Sequence, residues 1–268
     1  MDVQGHRGTR GHLPENTLPA FSRALEMGVT TLELDVGITR DGVVVVHHDR
    51  RLNPDVARGP DGQWVTAPSP TIHSLSYEEL RRYDVGRIRP GSEYARRFPH
   101  QQPVDGTRIP RLSDLFAAAG RSSVRFNIET KLLASHPDET VGAGQFARAL
   151  IGEVRKAGLE KRTTIQSFDY RTLKIVEREA PAIETVYLTE REGWTLEGLK
   201  REGARIWSPD FRALTKKIVD DAHALGIRIV AWTVNEPADI ARMIDWRVDG
   251  VISDYPDRVL QQLKKGKP

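Results

Sequence analysis

Thr31-Leu32-Glu33-Leu34-Asp35-Val36 alternates apolar and polar residues with a period of two, so Glu33 and Asp35 share one face of a strand and Leu32, Leu34 and Val36 the other. On a solvated edge strand the acids would face water. The chain around this stretch argues for a different setting, because short β-rich runs alternate with helical patterns almost throughout, as in βαβ units with a parallel sheet. A parallel barrel strand has no solvated face. If its leucines pack under the helices, its two acids point inward, where unpaired charge is costly, and they need a cation or basic partners.

Working outward, strands are expected near Val3 to Gly5, Thr31 to Val36, Val124 to Thr130, Thr163 to Ser167, Glu184 to Leu188, Arg205 to Ser208, Arg228 to Trp232 and Gly250 to Ser253. That number closes a TIM (β/α)8 barrel, and the length of 268 residues suits a single such domain over 1–268. Helices are expected over Thr17 to Met27, Ser113 to Ala119, Gly144 to Ala157, Tyr170 to Glu179, Leu196 to Glu202, Thr215 to Leu225, Pro237 to Ile244 and Pro256 to Leu263. Thr17 and Ser113 suit N-caps, while Gly28 and Gly226 suit helix C-termini. Val43 to His48 reads as an extra short strand. Residues 50–110, rich in Pro, Gly, Arg and Asp with a brief helical pattern around Tyr77 to Tyr83, exceed a plain connection and read as an insertion after strand 2, over the mouth. Arg81, Arg82, Arg87, Arg89, Arg96 and Arg97 there could face an anionic substrate, though solvated surface charge is the commoner role of such residues.

Composition narrows the function. Hydrophobic residues at 38% and charged residues at 29% supply a large core and exclude disorder. The net charge of +3 suits an anionic small molecule, but no basic run interleaved with aromatics supports a nucleic-acid partner. With no cysteine, disulfides, thiolate metal sites and cysteine nucleophiles are excluded. No apolar stretch approaches a bilayer span, so no stable membrane insertion is expected. Met1 and Asp2 lead directly into the first strand, compatible with a cytoplasmic protein or with a periplasmic or secreted domain whose leader was removed. The sequence assigns no oligomeric state.

Functional groups of a parallel barrel gather at the C-terminal ends of its strands. Strand 1 runs into Gly5-His6-Arg7-Gly8, which places an imidazole and a guanidinium at that mouth. A lone histidine there is more often structural, so its context has to decide. The next barrel strand puts Asn127, Glu129 and Lys131 on one face, so Glu129 adds a third acid and Lys131 a point charge for an anionic oxygen. Glu33, Asp35 and Glu129, with no thiol nearby, describe a hard-cation site for Mg²⁺ or Ca²⁺ better than one for zinc. Val46-His47-His48-Asp49 brings a further imidazole to the rim. A hard cation, Arg7 and Lys131 to neutralise phosphate oxygens, and two histidines for proton transfer are the parts a phosphodiester hydrolase needs.

Together these segments resemble the glycerophosphodiester phosphodiesterases: His6-Arg7-Gly8, Pro14-Glu15-Asn16-Thr17 with Ala20-Phe21, Glu33-Leu34-Asp35-Val36, Thr39 with Asp41-Gly42, His48-Asp49, Glu129 with Lys131, Gln166-Ser167-Phe168, Trp232-Thr233-Val234-Asn235, and Asp249-Gly250 with Ser253-Asp254 and Pro256. The ordered set spans nearly the whole chain. The resemblance implies a TIM barrel, a divalent cation on Glu33, Asp35 and Glu129, acid-base catalysis by His6 and His48, and phosphate contacts from Arg7 and Lys131. His47 falls outside the family's His-Asp pair and is the less suited of the two adjacent imidazoles. Trp232 resembles the family's aromatic substrate wall, though core packing explains it as readily. Asn16 lies near the mouth but also reads as part of a helix start, and Gln166 and Asp254 are expected to hydrogen-bond behind the site. The implied reaction converts a glycerophosphodiester to glycerol 3-phosphate and an alcohol, by attack of water or of the neighbouring glycerol hydroxyl. A lysophospholipase D acting on lysophospholipids and a non-catalytic binder of phosphorylated ligands are the rival readings.

Overall fold

In the computed structural model, which describes residues 1–120 and 122–265, the strands are β1 (Asp2–Gly5), β2 (Thr31–Ile38), β3 (Val44–Val46), β4 (Arg125–Thr130), β5 (Thr163–Ser167), β6 (Glu184–Thr189), β7 (Ile206–Pro209), β8 (Arg228–Ala231) and β9 (Gly250–Ser253). All but β3 run parallel in the order β1-β9-β8-β7-β6-β5-β4-β2, and pairing of β1 with β2 closes the eight-stranded barrel. The eight expected barrel strands are all present. β3 returns antiparallel along β2 through the Asp41-Gly42 turn, where Gly42 has a φ of 82°. It ends at Val46, short of the expected His48, although the His47 backbone N–H still donates to the Asp35 carbonyl of β2 at 2.9 Å.

The helices are α1 (Leu18–Met27), α2 (Tyr77–Leu80), α3 (Glu93–Arg97), α4 (Leu112–Ala119), α5 (Ala143–Lys156), α6 (Tyr170–Glu179), α7 (Leu196–Arg201), α8 (Lys216–Ala224), α9 (Pro237–Asp245) and α10 (Pro256–Lys265). Thr17 caps α1 by accepting the Ala20 N–H, and Gly28 ends it in the left-handed conformation. Ala20, Phe21 and Ala24 form its buried stripe. Ser113, expected to cap α4, instead lies within its first turn. The buried stripe starts one residue earlier at Leu112, which leaves Arg111 as the cap, its backbone N–H donated to the Asp114 carboxylate at 3.0 Å. Among the described residues no helix is long and apolar enough to cross a membrane.

Leu32, Leu34 and Val36 join Phe21, Phe126 and Ile128 in the core between barrel and helices. The inside of the barrel is divided. Val186, Ile206, Val230 and Ile252 pack against Trp232 on one half, whereas Gln4, Glu33, Asn127 and Gln166 form the other. The polar half is stable because its groups satisfy each other: the Asn127 amide donates to Gln4 Oε1 at 2.8 Å and Gln166 Oε1 at 3.0 Å. Residues 50–110 carry α2, α3 and a small core in which Leu52, Ile72, Leu80, Val85 and Ile109 pack on Val45 of β3.

Candidate active site

The β2–β4 register sets Asp35 beside Glu129 and Glu33 beside Asn127, so alternation and register together gather the acids at the C-terminal end of the barrel. Ligand oxygens of Glu33, Asp35 and Glu129 lie within 4.8 Å of one another, and all three side chains are buried. Burial, followed by the charges of Asp35 and Glu129, pushes the Glu33 carboxyl well above the usual range. Glu129 is pushed up to about 7, mainly by burial, with Lys131 opposing. Burial acts on Asp35 too, but Lys131 and Arg7 outweigh it and hold that carboxyl well below its ordinary value. Asp35 Oδ1 accepts no hydrogen bond, although Lys131 Nζ stands 3.0 Å away. Crowded oxygen donors, two of them resisting ionisation, and one unsatisfied oxygen fit a hard divalent cation.

The supporting bonds are short and specific. Gln166 Nε2 donates to Glu33 Oε1 at 2.7 Å, and the Arg7 backbone N–H donates to Glu33 Oε2 at 3.0 Å. Asn16 Nδ2 donates to Asp35 Oδ2 at 2.9 Å. Arg7 and Asn16 both adopt left-handed backbone, with φ of 50° and 54°, a costly conformation for arginine that aims its N–H at Glu33.

Each imidazole has its own aspartate. His6 Nδ1 lies 2.7 Å from Asp254 Oδ1 and His48 Nδ1 lies 2.6 Å from Asp49 Oδ1. An ionised carboxylate only accepts, so each Nδ1 carries the hydrogen and each Nε2 keeps its lone pair. His6 Nε2 is 3.9 Å from Glu33 Oε2. Burial, then Arg10, lowers the His6 pKa to about 4 against the pull of Asp254; burial, then Arg7 and Lys131, does the same for His48. Both rings are therefore neutral at pH 7, available as proton acceptors.

His6, Arg7, Glu33, His48, Glu129, Lys131, Gln166 and Trp232 line one cavity of about 460 Å³, while Asp35, Asn16 and Asp254 stand directly behind its wall. Every expected site residue is thus brought together. His47 is not: it is 7% exposed, faces a separate small space beside Glu15, and its Nε2 has no partner. Of the insertion arginines only Arg97 reaches the cavity; Arg87 pairs with Asp105 and Arg81 with Glu78, as surface charge does.

Sequence reasoning missed four contributors. Arg10 clamps Asp254 through Nε at 2.7 Å and a second nitrogen at 3.1 Å. Glu15 accepts from the Arg7 guanidinium at 2.7 Å and from the Tyr94 hydroxyl, and Asn235 donates to Asp254 at 2.7 Å. Glu15 and Asn235 lay inside quoted motifs; Arg10 and Tyr94 carried no signal.

Fold and site together define a β/α-barrel with three clustered carboxylates that could hold a cation, sharing one cavity with two aspartate-held imidazoles. The chain belongs to the glycerophosphoryl diester phosphodiesterase family, whose profile matches residues 6–258. A glycerophosphodiester phosphodiesterase of Caldanaerobacter subterraneus is 30% identical over 268 residues, covering 98% of each chain. A crystal structure from Silicibacter pomeroyi is 36% identical with a TM-score of 0.93, covering 99% of this chain and 93% of that one. An Oleispira antarctica phosphodiesterase solved with its product sn-glycerol-3-phosphate shares the fold at 22% identity and a TM-score of 0.78, covering 98% of this chain and 97% of that one.

Proposed function

We propose that this protein hydrolyses glycerophosphodiesters to glycerol 3-phosphate and an alcohol, with residues 1–268 acting as one barrel domain and 50–110 as its insertion over the mouth. The carrying observation is the buried acid triad flanked, in one cavity, by two neutral imidazoles each fixed by an aspartate. Glu33, Asp35 and Glu129 would hold Mg²⁺ or Ca²⁺, which supplies Lewis-acid neutralisation of charge on the phosphate. Arg7 and Lys131 add fixed positive charge for the non-bridging oxygens as negative charge builds. One of His6 and His48 takes the proton of the attacking hydroxyl on Nε2, and the other, neutral in the free protein, acts as the acid by first taking up a proton on Nε2 when the anionic diester binds and then giving that proton to the departing alkoxide. Asp254 and Asp49 stabilise the imidazolium that forms in each case.

The experiment is turnover of glycerophosphocholine, read as release of glycerol 3-phosphate, with added Mg²⁺ or Ca²⁺ and after exhaustive chelation. Turnover restored by either cation and abolished by chelation is expected. Full activity after chelation, or release of choline phosphate instead, would defeat the proposal.

A further inference from the structure

A diester has two arms, and two cavities meet at Glu129 of the acid triad, with His48 and Lys131 lining both. Besides the cavity already described, a second of about 460 Å³ opens on the other side of His48, Glu129 and Lys131, between Leu132, Leu133 and Phe168. Phe168 and Glu190 follow directly after the neighbouring strands β5 and β6 and line both cavities, at the junction between them. Phe168 is 38% exposed, unusual for a large apolar side chain, and is held edge-on by Trp232 at 5.7 Å between ring centroids.

The charges around the second cavity are almost all compensated. Arg50 and Arg51 both bind Glu139, Lys131 lies between Asp35 and Glu129, and Asp49 is bonded to His48 and Asn53. Glu190 is the exception: it is exposed and has no ion pair or side-chain hydrogen bond among the described residues, and Arg212, a cation that feels its charge, is already bound to Asp210. Arg97, which has no acid partner among the described residues, lines the first cavity and not the second. An available aromatic face beside a carboxylate that forms no ion pair is the chemistry that recognises an ammonium group.

We propose that the second cavity takes the alcohol arm of the diester and that Glu190 and Phe168 select an alcohol carrying a positive charge, quaternary or primary ammonium. The inference rests on the proposed hydrolysis. Glycerol is neutral, so the charged arm is the alcohol, and the glycerol arm occupies the first cavity.

The test compares kcat/KM of the metal-loaded enzyme on glycerophosphocholine, glycerophosphoethanolamine and glycerophosphoglycerol. The wild type is expected to favour the two cationic substrates. Glu190→Gln should lower the choline-to-glycerol ratio about 5- to 10-fold, and Phe168→Leu should lower it about threefold, more for the quaternary substrate. Glu190→Lys should reverse the preference. A ratio near one in the wild type, or a ratio unchanged in Glu190→Gln and Glu190→Lys, overturns the assignment while leaving the hydrolase reading intact. Turnover of none of the three substrates overturns both.

Discussion

Replacing Asp254 by asparagine tests whether the aspartate sets the working tautomer of His6. Asp254 is 1% exposed and accepts from His6 Nδ1 at 2.7 Å, from Arg10 at 2.7 and 3.1 Å and from Asn235 at 2.7 Å. An asparagine of the same shape keeps one acceptor oxygen but presents an amide donor. If that donor meets His6, the ring must accept on Nδ1 and carry its hydrogen on Nε2, where it can no longer take a proton. Neither orientation stabilises the imidazolium that forms during turnover. The expected loss in kcat is roughly 10²- to 10⁴-fold, the range for a general base deprived of its orienting carboxylate. The same change leaves the buried Arg10 guanidinium without its counter-charge, a cost of about 3–5 kcal/mol. For a chain of 268 residues that lowers Tm by roughly 5–9 °C. Stopped assays of glycerol 3-phosphate release at saturating Mg²⁺, well below the variant's melting temperature, separate the two effects. A variant that melts lower yet retains kcat within a few-fold of wild type would refute the tautomer role and leave Asp254 a structural anchor.

Other outcomes follow from the same geometry. His48→Ala should lose roughly 10²- to 10⁴-fold in kcat, whereas His47→Ala, removing a ring that faces away from the cavity, should keep substantial activity; equal losses would misassign the pair. Because Glu129 is raised to about 7, the metal-free protein carries a penalty that grows as pH rises from about 4.5 through 7, of about 3 kcal/mol, and cation binding removes it. The Tm gain on adding Mg²⁺ or Ca²⁺ should therefore be larger at pH 8 than at pH 5.5, and an increment independent of pH would contradict a carboxylate site of this kind. The histidines shift metal-free stability in the opposite sense, which is why the increment is the quantity to follow. Tyr94→Phe removes the hydroxyl that steadies Glu15 against Arg7, and a drop of about 5- to 10-fold in kcat/KM is expected, with no change if the insertion merely shields the mouth.

Repetition of β and α patterns and the period-two placement of Glu33, Asp35 and Glu129 are local properties, so the barrel and the acid triad were legible residue by residue. The helix ends were mostly legible too, since Thr17 and Gly28 act through their own backbone. At α4 the cap was misplaced by two residues because the start of burial at Leu112, rather than the serine, decides where the helix begins.

What the linear chain determined by itself is the set of reactive groups and the strand faces that carry them, because side-chain direction along a strand depends only on local backbone geometry. Which groups then act on each other was decided by closure of the barrel. Arg10 and His6 meet Asp254 across 244 and 248 residues, and Tyr94 of the insertion meets Glu15 across 79. No local pattern encodes such pairs, since their energy arises only when distant segments exclude water around them together. The neutral imidazoles and the raised carboxyls of Glu33 and Glu129 are products of that same burial.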